Sequence, residues 1–221
     1  MRRLLLPLSA LALVCAGCAS GEAAPPAKPV AAAASAPVAS VRADTLAAVA
    51  RRLYRQEAVG VTGHVAVRRI ARDQRLLAAL ESGDPAALRA EALRQLFDPG
   101  KHVVRLSVVR NGRTLVDVGG AFVVEPARQV LRAPDGAQLG VLQASIQDVI
   151  GYVKLVRRFT GVQIVVRGNP GHVESSLAAA KAASPPSSGV ATVGGHRYEL
   201  RSFTEPGFGG ERLHVWILSA A

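Results

Sequence analysis

From Asp44 to about residue 97 apolar residues recur with a helical period, and at His102 the period changes to strict alternation. Behind Asp44, a residue type that caps helices, Leu46, Val49, Ala50 and Leu53 share one face. A second helix is predicted over 65–82, with Val67, Ile70, Leu77 and Leu80 on one stripe, arginines opposite and Gly83 as its stop. Asp84 and Pro85 then supply an N-cap and a first-turn proline for a third helix carrying Leu88, Ala92, Leu96 and Phe97, ended before Asp98-Pro99-Gly100.

From His102 the pattern predicts strands. Val104, Leu106 and Val108 alternate with Val103, Arg105, Ser107 and Val109, and Asn111-Gly112 is a strong hairpin signal, with residues 114–118 returning as the partner. Gly119-Gly120 leads to Phe122-Val123-Val124, a further stretch reaches Leu131, and Pro134-Asp135-Gly136 turns the chain into a strand over 138–146. Strands so close in sequence pair antiparallel. Asp148 caps a helix with Val149, Ile150, Val153 and Val156 on one face, closed at Thr160-Gly161. A strand over 162–167 follows, then a small-residue stretch, 175–189, predicted to be a surface excursion. Two more strands, over 190–203 with a break at Gly194-Gly195 and over 212–219, end the pattern.

The first seventeen residues have another character. Arg2 and Arg3 form a basic start, residues 4–14 a short apolar run, and Ala16-Gly17-Cys18 a bacterial lipobox, although Cys15 stands where that pattern prefers Leu. The apolar run is shorter than the roughly 20 residues that cross a bilayer. Residues 1–17 are therefore expected to be a lipoprotein signal peptide and Cys18 the lipidated residue, which predicts export and anchoring to the outer face of a bacterial membrane, periplasmic or at the cell surface. An ordinary cleaved signal peptide is the alternative. Residues 18–43, rich in Ala and Pro, have too few large apolar side chains to offset ordering entropy and are expected to be a disordered tether. The folded domain is expected over 44–221.

Composition narrows the chemistry. Cys15 and Cys18 are the only cysteines, so a chain processed at Cys18 has no internal disulfide and needs none at 204 residues. Such processing leaves 25 basic residues against 16 acidic ones, a net charge of +9. With only 4% aromatic residues and dispersed arginines there is little for nucleic acid to stack on, and no nucleic-acid partner is expected. Anionic lipid head groups would be attracted by the charge. There is no Gly-x-Ser-x-Gly elbow, no His-Glu-x-x-His and no Walker lysine loop, and Gly207-Phe208-Gly209-Gly210 reads as a turn. The five histidines, His64, His102, His172, His196 and His214, are scattered. Neither an enzyme, a metal site nor a cofactor is expected.

The residues from Val103 to Gly120, the turn Pro134-Asp135-Gly136, and Gly140-Val141-Leu142-Gln143-Ala144-Ser145-Ile146-Gln147-Asp148 resemble an extracytoplasmic single Cache domain, a PAS-like sensor. The closing run 195–203 with Phe208-Gly209-Gly210-Glu211 is similar to the family's last hairpin. The resemblance implies an α+β fold: N-terminal helices, then an antiparallel sheet of five or more strands. It also implies that the concave face of the sheet binds a small organic ligand or a signal-transmitting partner. Arg105 and Ser107 share a face with Val103 and Val109, and Gln143 and Ser145 share one with Leu139 and Val141. On such a face Arg105, Ser107 and Gln143 could meet a ligand, Arg105 clamping a carboxylate through two hydrogen bonds. Phe122 and Tyr152 could line the same pocket. An antiparallel sheet equally leaves one face wet, Asp117 across the hairpin is the alternative acid for Arg105, and Tyr152 and Trp216 suit a core as well as a pocket.

Two function classes follow. One is an anchored sensing module that binds a small molecule, a separate membrane protein that carries the signal onward, or both; the other is a structural or interaction lipoprotein of the envelope with no small ligand. The lipobox is tested directly: Cys18→Ser should leave the precursor uncleaved and unlipidated in mass spectra of the membrane fraction. A wild-type N-terminus at any other residue would contradict it.

Overall fold

The computed structural model describes residues 38–182 and 184–221; the leader, Cys18 and the tether as far as residue 37 lie outside them. Residues 36–221 form one compact unit, and its described residues build three hydrophobic clusters, a core of the size on which a domain of this length folds. No helix among the described residues is long and apolar enough to cross a membrane.

The first helix, α1 (Val38–Val59), starts ahead of Asp44, overlapping the last residues of the expected tether. Asp44 therefore does not cap it, and its carboxylate instead accepts a hydrogen bond from Arg201 Nε at 2.5 Å. The buried stripe is Ala43, Ala50, Tyr54 and Ala58, while Val49 is exposed. The helix predicted over 65–82 is two, α2 (Val61–Ile70) and α3 (Gln74–Ser82). Asp73 divides them: its backbone is extended and its carboxylate accepts from the Leu76 N–H at 3.1 Å, satisfying a first-turn amide that would otherwise lack a partner. Gly83 ends α3 in the left-handed conformation, and Asp84, accepting from Ala86 N–H at 2.8 Å, starts α4 (Pro85–Phe97). Phe97 is exposed, beyond the stripe of Leu88, Ala92 and Gln95 that α4 buries.

Strands β1 (Arg105–Arg110) and β2 (Arg113–Gly119) turn at Asn111 and Gly112, both at positive φ (50° and 75°), the pair that matches strand twist in a two-residue hairpin. With β3 (Ala127–Arg132) and β4 (Gln138–Ser145) they form a four-stranded antiparallel sheet, order β2-β1-β4-β3. Asp148 caps α5 (Val149–Thr160) through the Gly151 N–H at 2.7 Å. A second antiparallel sheet follows from β5 (Gln163–Arg167), β6 (Val173–Ser175), β7 (Ser188–Val193), β8 (His196–Pro206) and β9 (Arg212–Ala220), order β6-β5-β9-β8-β7.

The α+β class with N-terminal helices and a five-stranded antiparallel sheet is as expected, but the strands divide into two sheets. Helix coverage explains the division. The first sheet buries Leu106, Val108, Val116, Val118, Leu142 and Ala144 against α2, α3 and α4. The second buries Ile164, Val166, Val215 and Ile217 against α1 and α5. Its other face carries Val165, Leu200 and Leu218, covered by Ala180 of a short 3₁₀ turn, Ala178–Ala180. The beginning of the expected excursion, through Ala180, is therefore packed.

Asp73 ties the helical layer to the chain that enters β1. It accepts from Arg94 Nη2 at 2.7 Å, and Lys101 Nζ lies 3.8 Å away. Partial burial pushes its carboxyl up, but hydrogen bonds from Arg94 and the Leu76 N–H outweigh this and hold it at about 2. Because this lies below the roughly 3.9 of an unfolded Asp, its contribution is complete above about pH 4 and is lost as pH falls toward 2. Asp73→Ala should cost about 1–2 kcal/mol at neutral pH and flatten the stability loss between pH 4 and 2, measured by chemical denaturation.

Candidate functional site

On the first sheet the face away from the helices carries a polar row. Register places Asp117, Ser107, Gln143 and Arg128 side by side across β2, β1, β4 and β3, with Arg105 opposite Ser145 one step along. Three predicted residues, Arg105, Ser107 and Gln143, thus share one sheet face, on which Ser107 is itself buried. Arg105 is held from several sides: Nε and Nη2 donate to the two carboxylate oxygens of Asp117 at 3.0 and 2.8 Å, Nη1 donates to the Ala121 carbonyl at 3.1 Å, and the guanidinium lies 4.5 Å over the Phe208 ring. The fork that could clamp an incoming carboxylate is occupied by an internal one.

Phe122 lies beside this arginine at the joint between the sheets, its ring 5.0 Å from that of His172. His172 Nδ1 is 2.8 Å from Glu211 Oε1, which also accepts from the Asn169 N–H. Glu211 is buried, and its carboxylate ties the turn after β5 to the turn before β9. The fifth predicted residue, Tyr152, shares the second sheet's core cluster with Phe122 and lies away from the polar row. It is fully buried in the core of the second sheet, packed edge-on to Tyr54 at 5.2 Å, with its hydroxyl donating to the Ala50 carbonyl at 3.0 Å. Burial pushes both tyrosine hydroxyls far above their ordinary pKa. Tyr152 is a core residue with a satisfied polar tip.

Sequence reasoning missed a recess at the outer end of the hairpin, about 280 Å³ in volume. Leu80, Leu88 and Leu115 contribute apolar lining, and Asp84, Arg110, Arg113 and Thr114 contribute polar groups. Arg110 is spent on structure, donating to the carbonyls of Leu139 (2.6 Å) and Leu80 (3.2 Å). Arg113 is exposed and has no carboxylate within 4 Å among the described residues. An unpaired guanidinium beside an apolar lining suits a small organic anion. The sequence signal was Arg113-Thr114 directly after Asn111-Gly112, but its helical wall comes from residues 79–88. Among the described residues no group of three or more His, Cys, Asp or Glu could hold a metal ion.

No family model matches the chain, and no curated protein matches it in sequence. Among solved structures it is similar to the periplasmic domain of Vibrio cholerae LuxQ, with a TM-score of 0.53, 10% identity and coverage of 81% of this chain and 100% of that one. A selenomethionine form of that domain aligns at 0.48 with 11% identity over 81% and 98%. The ligand-binding domain of the Pseudomonas fluorescens chemoreceptor CtaA, in complex with L-isoleucine, aligns at 0.35 with 10% identity over 82% and 89%. The lower scores of the last two add nothing to the fold. The chain shares the α+β, PAS/Cache-like fold of that periplasmic domain.

The Arg105–Asp117 pair is half-buried, so its loss should fall between the small cost of a surface pair and that of a buried one. Arg105→Ala and Asp117→Ala should each lower stability by about 1–2 kcal/mol, and the double variant by less than the sum, in urea titrations. Additive losses would show that the two side chains act separately.

Proposed function

We propose that this chain is an exported sensing module, anchored to a membrane through Cys18, that binds a small organic anion and passes the signal to a separate membrane protein. The fold likeness to a periplasmic domain over its whole length supports the location, together with the lipobox. The observation that carries the binding role is the recess where unpaired Arg113 stands beside Leu80, Leu88 and Leu115. At about 280 Å³ it suits a molecule of amino-acid size. Nothing in this reading calls for catalysis.

A second reading, an envelope interaction protein with no small ligand, is favoured by one observation. Arg105, the arginine of the predicted ligand face, has its charge met by Asp117 and its ring contact by Phe208. A thermal-shift screen of residues 36–221 against organic acids and amino acids separates the two, because a ligand specific to the native state raises its melting temperature. The sensing reading expects a shift that Arg113→Ala abolishes and Arg105→Ala preserves. A shift lost only in Arg105→Ala moves the site to the polar row and Phe122, and no shift with any compound supports the second reading.

A further inference from the structure

The outward face of α2 carries a row of exposed side chains, of which Arg68 donates its Nε to the helix's own His64 carbonyl at 3.3 Å. Gly63, Val67 and Ile70 turn inward and are buried. At helical spacing on the opposite side stand Val61, Val65, Arg68 and Arg69, and Arg72 continues the row in the turn beyond. Val61 is 80% exposed and Val65 51%, the kind of aliphatic surface that folding ordinarily covers. Helix α2 contains no acidic residue, and none of the three arginines has a carboxylate within 4 Å among the described residues, although Asp98 is near enough to feel the charge of Arg69. Beside them, Arg132 of β3 joins Arg68 and Arg72 around an open groove of about 310 Å³ that has no acidic residue in its lining.

We propose that this face docks on an anionic lipid surface. Clustered guanidinium groups with no carboxylate in ion-pair contact repel one another and are relieved by phosphate, and exposed valines on the same side enter the boundary between head groups and acyl chains. The groove beside Arg68, Arg72 and Arg132 is open to solvent, as docking on an extended surface requires. Exposed apolar residues stand elsewhere too, such as Phe97 and Ile150, so it is the combination on this face of two valines with three arginines beside Arg132 that points to lipid.

The inference rests on the membrane-anchored reading only for where the contact happens. In a chain anchored at Cys18, the 20 residues from 18 to 37 reach about 65 Å when extended, roughly twice the length of the 22-residue α1. The far end of α1, where α2 begins, therefore comes within reach of the membrane that holds the anchor.

The test uses residues 36–221, without lipid, in co-sedimentation with vesicles of phosphatidylcholine alone and vesicles containing phosphatidylglycerol. Binding is expected only to the anionic vesicles and should weaken as salt is raised. With each basic residue near the surface worth about fivefold, Arg68→Gln with Arg72→Gln should weaken binding roughly 25-fold. Arg157→Gln with Arg158→Gln, which removes the same charge from exposed positions on α5, should change it less than about threefold. Val61→Ser with Val65→Ser should abolish the binding that survives at high salt. No binding to anionic vesicles, or equal losses for the two arginine pairs, overturns the proposal, and unchanged melting temperatures confirm that each variant is folded. Because the protein used lacks Cys18, an error in the anchor assignment leaves the outcome untouched.

Discussion

The fold depends on a short extended segment that belongs to neither sheet. Val123 and Val124 are fully buried, and the backbone around them is shared among three elements. Val149 N–H donates to the Phe122 carbonyl at 3.2 Å, Phe208 N–H to the Val123 carbonyl at 3.1 Å, and Val124 N–H to the Gln147 carbonyl at 3.3 Å. The Tyr54 hydroxyl accepts from Glu125 N–H at 3.0 Å and donates to the Pro206 carbonyl, bringing α1 into the same joint. Buried amides and carbonyls must find partners, and here they find them on three parts of the chain: the start of α5, the turn before β9 and α1. This suture holds the first sheet to the second, and Arg105 caps it from outside by bonding the Ala121 carbonyl and covering Phe208.

The joint also explains why the polar row of the first sheet is a poor ligand clamp. Arg105 lies where the sheets meet, and an unpaired guanidinium beside a buried backbone junction would carry a desolvation cost that Asp117 removes. Recognition is better served at the margins, where Arg113 at the hairpin end and the arginines of α2 have no carboxylate within 4 Å among the described residues.

Local chemistry made much of this legible in the sequence. Asn111-Gly112, the caps Asp84 and Asp148, and the stops Gly83 and Gly161 each act within a few residues, and each lies where its chemistry placed it. The break at Asp73 was missed because residues 65–82 keep a helical period across it; only its role as an acceptor for the Leu76 N–H and Arg94 fixes the boundary. Alternation identified strands but not sheet membership, since which strands share a sheet depends on which helices cover them. The Glu211 contacts with His172 and Asn169 span about forty residues, and no spacing rule joins them. Asp117 could be read as one of several acids for Arg105, because the hairpin register makes it a near neighbour.

Native-state hydrogen exchange tests most directly whether the suture makes the two sheets one cooperative unit. The amides of Val124, Val149 and Phe208 should exchange only through global unfolding, with the same free energy as amides in the centres of β1 and β9. Faster exchange at the joint, with a separate opening free energy for each sheet, would show that the sheets are independent bodies and would contradict the account.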